Sequence, residues 1–430
     1  RELSKVMNLS NDDFIRTTDA RHKKAAQAMW TKLADAGYIY KAQYSGWYCV
    51  SDEAYYDEKE IVDGKAPSGH PVEWMEEESY FFKLSAFGDK LLKLYEDNPQ
   101  FIQPASRRNE VMSFVKSGLR DISISRTTFN WGVPVPGDEK HVMYVWIDAL
   151  TNYLTAIGWP DEAGWDKYWQ SAVHIVGKDI LRFHAVYWPA MLMGAGVEPP
   201  KKVYAHGWWT SEGKKMSKSF GNVVDPVQVV DDYGQDQIRY FIMREVPFGN
   251  DGDFSKAQLI QRINTDLAND LGNLFQRVLS MVAKNCEGKV PALGELSAED
   301  KAFLNLFDEK FIAGQRDHIA NLSFHLYLGD LWERIRAANR YMDAQQPWSL
   351  KKDNPEKMAH VLRVLMEGFA RIAVLVEPYM PTAASMLQQQ ITFTGKTIGD
   401  IETSELLLTH GTELPKPSGV FMRINAEEAA

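Results

Sequence analysis

Three lysines, Lys214, Lys215 and Lys218, fall within residues 211–222 (SEGKKMSKSFGN), beside the hydroxyls of Ser217 and Ser219, two glycines and a single carboxylate, Glu212. Clustered ammonium groups on a glycine-flanked segment suit a reaction that moves negative charge between phosphate oxygens. In such a reaction, positioning and charge neutralisation do most of the catalytic work. A Walker A loop is one way to supply them, but it needs a glycine where Trp208 stands. A solvated basic face is the plainer reading of any charge run. Its setting argues against that: "VYAHGWWT" before it reads as a strand and "DPVQVVDDYGQDQIRYFIM" after it as a helix. A basic segment at a strand end lies where open α/β sheets place their ligands.

The elements around this segment are legible in outline. The 430 residues allow roughly three domains at about 150 residues each. Apolar residues make up 45% and aromatic ones 12%, enough for a substantial core. No run of apolar residues is long enough for a transmembrane helix, no signal peptide is visible, and no metal or membrane partner is called for by composition. The only cysteines, Cys49 and Cys286, do not make a disulfide framework and fit a reducing, cytoplasmic compartment. The net charge of −10 means that a polyanion must be held by local basic patches, in a salt-sensitive way. The chain opens on Arg1 without a methionine, and its natural start is expected upstream.

"DARHKKAAQAMWTKLADAGYIY" has helical spacing, with Gly37 as its stop. Residues 46–131 are rich in strands and turns. Residues 141–210 alternate strand, helix and strand, which implies βαβ units and a parallel sheet. Beyond residue 254 the text is helical, in four or more segments of 3.6-residue periodicity, the last closed by Pro378 and Pro381. One of these segments carries a physical clue. With Asn269 at zero on a helical wheel, Asn273 and Arg277 lie near about 40° and 80°, opposite Leu267, Leu271, Leu274, Phe275 and Val278. Two amides and a guanidinium on one exposed stripe suit the hydrogen-bonding edges of unstacked bases. "QQPW" at 345–348 ends another helix and offers Trp348, held by Pro347, as a stacking surface.

Lys215-Met216-Ser217-Lys218-Ser219 matches letter for letter the second signature of class I aminoacyl-tRNA synthetases. The wider text resembles the methionyl-tRNA synthetase family of bacterial type. The similar stretches are "YVWIDALTNY" (144–153), "GKDILRFH" (177–184), "HGWW" (206–209), "NLFQR" (273–277) and "ANRYMDAQQPW" (338–348). The family's first signature, a His-Ile-Gly-His type segment, does not occur in the sequence.

The resemblance implies an α/β fold: a partial Rossmann-like class I catalytic domain with an inserted connective module, followed by an all-α anticodon-binding helical bundle. It divides the chain into 1–20 (end of the first Rossmann half), 21–135 (inserted module), 136–205 (second Rossmann half), 206–258 (lysine loop and stem-contact region), 259–392 (bundle) and 393–430 (an extension folding back, with a short strand in "ELPKPSGVFMRI"). It implies methionine activation with ATP and Mg²⁺, and transfer to initiator and elongator methionine tRNA by a monomer.

Carried over position by position, Lys215 and Lys218 are catalytic, Lys218 stabilising the departing pyrophosphate while Gly213 and Gly221 let the loop close. Gly177, Asp179, His206, Gly207, Lys215, Ser217 and Lys218 meet ATP. Trp146, Ala149, Leu150, Tyr153, Ile180 and His184 form the methionine pocket, Tyr153 or His184 offering the sulfur a polar atom. Asn269, Asn273, Arg277, Pro347 and Trp348 read the CAU anticodon. From sequence alone, Trp146 and Ile180 read equally as core, and Asp179 as a helix cap.

Two rivals stand beside this reading: a sister enzyme for leucine, isoleucine or valine, whose editing module the insertion is too short to hold, and a non-catalytic tRNA-binding fragment. The absent first signature supports the latter, and a chain beginning at Arg1 is expected to have little aminoacylation activity. The resemblance implies that in many relatives the inserted module carries a Cys-x-x-Cys and then a Cys-Pro-x-His group that binds zinc. The corresponding positions here are Cys49, Asp52, Ala66 and His70, too few donors for a tetrahedral site. Elemental analysis is therefore expected to find no zinc, and one zinc per chain would overturn that expectation.

Overall fold

Residues 173–177 form a β-strand in the computed structural model, which describes residues 2–49, 54–56, 58–216, 221–402 and 406–425. Val173–Gly177 pairs in parallel with Lys202–His206, which pairs in parallel with Ile102–Gln103. His174 and Val176 face the core, while Val173 and Ile175 are exposed on a strand that lies, among the described residues, at the sheet edge. The expected parallel sheet with helical crossovers is present. The chain divides into two compact units, residues 11–206 and residues 1–10 with 207–430.

In the first unit, helix Ala20–Asp35 is followed by Gly37 at φ +74°, the left-handed stop that its glycine allows. A long antiparallel pair, Ile39–Cys49 with Glu73–Phe82, runs in register from Ile39↔Phe82 to Tyr48↔Glu73 and forms the spine of the inserted module. Helix Val145–Ala156 packs on Ala20–Asp35, where the fully buried ring of His22 joins them. Its Nε2 lies 2.6 Å from Asp148 Oδ1 and its Nδ1 3.1 Å from Thr155 Oγ1. Phe82, Phe87, Tyr95, Phe101 and Trp188 fill the core.

Residues 1–10 group with residues 207–430: the Arg239 guanidinium donates to the carbonyls of Met7 (3.1 Å), Pro378 (3.0 Å) and Tyr379 (2.8 Å), and so fastens the segment. This second unit departs from the sequence reading in three places. The single helix expected after the lysine segment is two, Pro226–Tyr233 and Gln235–Glu245, because Gly234 at φ +94° cannot continue an α-helix. The helix bearing the amide stripe is α-helical over Lys256–Arg262 and Leu274–Asn285, but π-helical over Ile263–Asn273. The C-terminal stretch forms no strand among the described residues. It is held by an isolated bridge, Lys289↔Glu413, and by the Asn264 side chain, which accepts from Ile424 N (2.8 Å) and donates to Ile424 O (2.9 Å).

Helix Pro355–Leu375 is buried almost throughout and forms the axis of the bundle. Phe369 stacks on Phe275 at 3.8 Å, and a side chain at Gly368 would strike Phe303 at 2.7 Å. Glu367, fully buried, accepts from Arg363 Nε (3.0 Å) and from the backbone N–H of Leu407 (2.7 Å) and Leu408 (3.1 Å), which draws the C-terminal segment onto the axis. Removing one member of such a group leaves an uncompensated buried charge. Glu367→Ala should therefore cost the helical unit about 3–5 kcal/mol, measured by urea denaturation.

Candidate active site and nucleic-acid interface

Helix Val145–Ala156 presents Trp146, Ala149, Leu150 and Tyr153 at spacings of three and four residues, so they share one face. That face meets a stretch where the backbone leaves α-helical register: a 3₁₀ turn at Lys178–Ile180, then a π-helical turn at Phe183–Tyr187. Such turns recur at functional sites because they re-aim side chains. Here they set Phe183 flat on Trp146 at 3.8 Å and 11°, with His184 edge-on to Trp146 at 6.1 Å and to Tyr153 at 5.6 Å. All the expected pocket residues fall on these two adjoining segments.

The hydrogen bonds assign the protons. A carbonyl only accepts, so His184 Nδ1–H donates to Ile180 O (2.9 Å), His184 Nε2 is the acceptor, and Tyr153 O–H donates to it (2.7 Å). Neither residue therefore offers a free donor in this arrangement, and Tyr153 presents only the lone pairs of its oxygen. Burial pushes His184 below the ordinary histidine value and raises Tyr153 to about 12.

Two members of the cluster escaped the sequence reading, Phe183 and His174. His174 stacks under Tyr153 at 4.0 Å and accepts from Trp188 Nε1–H at 3.2 Å. Burial, helped by the neighbouring His184, lowers His174 to about 3. The alternation in "VHIVG" gave no signal for it, since Val173 and Ile175 are the alternate apolar positions, yet His174 and Val176 turn inward.

Gly177 and His206 are register partners at the C-terminal ends of adjacent parallel strands, where α/β sheets hold ligands. A side chain at Gly177 would meet Asp179 Oδ1 at 2.5 Å, so the glycine lets Asp179 lie against the strand end. The structure brings Gly177, Asp179 and His206 together. Gly207 belongs to the other unit and has a local reason of its own: any Cβ there would overlap the Asn250 carbonyl.

The lysine segment belongs to that other unit as well, and it is a hairpin where a loop was expected. Trp209–Ser211 pairs antiparallel with Lys214–Lys215 across Glu212 (φ +49°) and Gly213 (φ +74°), a turn of type I′. Asn222 Nδ2 donates to Lys215 O at 3.1 Å, and Gly221 sits at φ +65°. Lys215 is exposed, with Nζ 5.9 Å from the centre of the Trp208 ring. Ser217 and Lys218 lie outside the described residues.

On the bundle, Asn269 and Asn273 are exposed and Arg277 is half-buried, while Leu267, Leu271, Leu274, Phe275 and Val278 are buried, as the wheel expected. Helix Phe324–Gln345 does not end freely at "QQPW". Gln346 turns left-handed (φ +46°), and buried Pro347 opens a new helix, Pro347–Asp353, with Trp348 in its first turn and 45% exposed. The Arg277 guanidinium lies 5.6 Å from the Trp348 ring centre and 3.8 Å from Asp343 Oδ1. Residues distant in sequence thus form one patch: two amides, a guanidinium and a half-exposed indole.

Cys49 is buried with Ala66 and Val72 in a small apolar cluster, and His70 is exposed. Asp52 lies outside the described residues, among which no group of three metal donors occurs. A cavity of about 890 Å³ in the bundle is lined by Glu295, Glu299, Asp300 and Glu356 against a single lysine, Lys357. That balance repels phosphate and removes the cavity from the candidates for a nucleotide site.

Comparison with known proteins agrees with this geometry. Residues 1–71 and 65–279 match the family model described as tRNA synthetases class I (M), and residues 290–430 match the anticodon binding domain of methionyl tRNA ligase. Over 438 residues the chain is 54% identical to the methionine–tRNA ligase of Brucella suis biovar 1, covering 100% of this chain and 84% of that protein. It is 51% identical, with the same coverages, to that of Rhizobium meliloti. The Mycobacterium tuberculosis methionyl-tRNA synthetase in complex with methionyl-adenylate superposes with a TM-score of 0.93 at 48% identity, covering 98% of this chain and 85% of that one.

The buried histidines make the first unit acid-sensitive. His174 stays neutral in the fold down to about 3, whereas an ordinary histidine protonates near 6.5. The unfolded chain therefore binds more protons between those values. Stability should be level above pH about 6.5 and fall as the pH drops from there toward 3, read by tryptophan fluorescence during urea unfolding. His174→Gln, which keeps an acceptor for Trp188 but does not titrate, should flatten that decline.

Proposed function

The chain belongs to the methionyl-tRNA synthetases of class I, and from that premise we propose how its residues divide the reaction. The protein is a ligase that activates methionine with ATP and passes the methionyl group to the 3′ end of methionine tRNA. A carboxylate oxygen of methionine attacks the α-phosphorus, the bond to the bridging oxygen breaks, and pyrophosphate leaves. The 3′-terminal hydroxyl of tRNA then attacks the carbonyl carbon, and AMP leaves.

The observation that carries the amino-acid assignment is the aromatic enclosure of Trp146, Phe183, Tyr153 and His184. Shape alone separates apolar side chains by only about 1–3 kcal/mol per methylene, and sulfur–ring contacts add roughly 0.3–1.5 kcal/mol. Ring faces and edges on two sides favour an unbranched, polarisable thioether over a branched hydrocarbon. With the Tyr153 and His184 protons donated within the protein, selectivity rests on these contacts and on the Tyr153 oxygen, and no protein donor to sulfur is required.

Gly177, Asp179 and His206 are suited to the nucleoside of ATP, Asp179 as an acceptor for ribose hydroxyls. Lys215 and Lys218 are assigned to the phosphates, Lys218 on the departing pyrophosphate. ATP enters as its Mg²⁺ complex, the ion neutralising phosphate charge. Asn269, Asn273 and Arg277 are assigned to base edges of the anticodon and Trp348 to stacking, Arg277 being braced against the indole that stacks.

Two substitutions in the full-length protein test this division. Lys218→Ala should slow ATP–pyrophosphate exchange by roughly 10²–10³-fold, as loss of one charge-stabilising donor does, with methionine affinity nearly unchanged; an equal loss in both refutes the assignment. Trp348→Ala should weaken tRNA charging by about 1–3 kcal/mol of lost stacking and leave exchange intact.

A further inference from the structure

The hairpin that carries Lys214 and Lys215 is too short to hold its own position. Its strands share only two register pairs, Thr210↔Lys215 and Ser211↔Lys214. A two-strand ribbon of that size is not stable by itself in water. Something outside it must fix it, and the structure shows what. The strand Gly252–Phe254 runs parallel to Trp209–Ser211, with Asp253 directly opposite Thr210. Oδ1 of Asp253 accepts from the Thr210 hydroxyl at 2.6 Å and from the Gly213 backbone N–H at 2.8 Å. One oxygen thus grips the first strand and the turn at once. Hydrogen bonds to an ionised acceptor are the strong kind.

The same arrangement recurs on both sides of this grip. Two residues earlier, Asp251 Oδ1 accepts from Trp208 N–H at 2.9 Å. Two residues beyond the hydroxyl contact, Glu212 Oε1 accepts from Lys256 N–H at 2.9 Å, at the start of the next helix. Asp253 is the central member of the three, because Thr210 is the cross-strand partner of Lys215. Among the described residues no carboxylate lies within ion-pair distance of Lys214 or Lys215, so the acidic groups hold backbone and hydroxyl and leave these ammonium groups available.

We propose that Asp253 is a positioning residue for adenylate formation: it fixes the lysine hairpin through Thr210 and Gly213, and thereby places Lys215 and the segment leading to Lys218 against the phosphates of ATP. The inference rests on the assignment of those lysines to ATP. It predicts a loss confined to the nucleotide side of the reaction, since a small displacement of a positioned charge costs rate without altering the amino-acid pocket.

The test is steady-state ATP–pyrophosphate exchange by the full-length protein. Asp253→Ala should lower kcat/KM for ATP by roughly 10- to 100-fold, with KM for methionine unchanged within about twofold. Asp253→Asn, whose amide oxygen accepts the same two bonds, should restore activity to within about threefold of the unsubstituted enzyme. Thr210→Val should give a smaller loss in the same parameter, and the double variant Thr210→Val with Asp253→Ala should be no worse than Asp253→Ala alone, as members of one unit behave. If Asp253→Ala does not fold, Thr210→Val with its KM split carries the test.

An Asp253→Ala enzyme within about twofold of normal for ATP, a matching loss of methionine affinity, or an Asn variant as impaired as the Ala variant would each overturn the proposal. Absence of exchange in the unsubstituted full-length enzyme would overturn the assignment beneath it instead.

Discussion

A single buried carboxylate, Asp266, holds the helical unit in the form its surface requires. It is 2% exposed and accepts from the Tyr240 hydroxyl at 2.7 Å and Arg262 Nη1 at 3.2 Å, while its backbone carbonyl receives Trp332 Nε1–H at 3.3 Å. Tyr240 and Trp332 come from two neighbouring helices, Gln235–Glu245 and Phe324–Gln345, and Arg262 from the preceding turn of the same rod as Asp266. Taking charge out of water costs several kcal/mol per ion unless every lone pair finds a partner, so this knot tolerates little change. It sits inside the π-helical stretch Ile263–Asn273. On the outer surface Asn269 lies within one turn of Asp266 and Asn273 a further turn on, and Asn264 near the start of the stretch holds Ile424. The outward amides and the inward carboxylate are consequences of the same backbone register.

The first unit reaches its precision by a different route. Its cluster is aromatic, and its few polar atoms are matched in pairs: Tyr153 with His184, His184 with Ile180, Trp188 with His174. Because each acceptor is fixed by a donor with no alternative role, the two tautomers are determined by the fold. These bonds also fix the orientation of the Tyr153 and His184 rings relative to one another, and of Trp188 relative to His174.

Much of this was legible in the chain because periodicity reports burial directly. The stripe of Asn269, Asn273 and Arg277 opposite five apolar residues follows from helical spacing, whereas the set of Trp146, Ala149, Leu150 and Tyr153 came from the family resemblance, spacing alone reading Trp146 equally as core. The misses share a physical cause: each depends on backbone torsions or long-range contacts that side-chain pattern does not encode. A wheel drawn at α-helical pitch cannot register a π-helical segment when its apolar spacing of four fits both. Glu212 at positive φ turned an expected loop into a hairpin, since glutamate carries no signal for that conformation. Gly234 did signal a break, but within a run of helix formers. The grouping of residues 1–10 with the helical unit was not legible, because it is made by contacts such as the hydrogen bond from Arg239, far away in sequence, to the Met7 carbonyl.

The grip of Glu367 on the backbone of Leu407 and Leu408 has a kinetic consequence. Lifting the C-terminal segment off the axis helix strips two hydrogen bonds from a fully buried carboxylate. Segment and axis therefore open together, and the amide protons of residues 407 and 408 exchange with solvent as slowly as those of the helix they rest on.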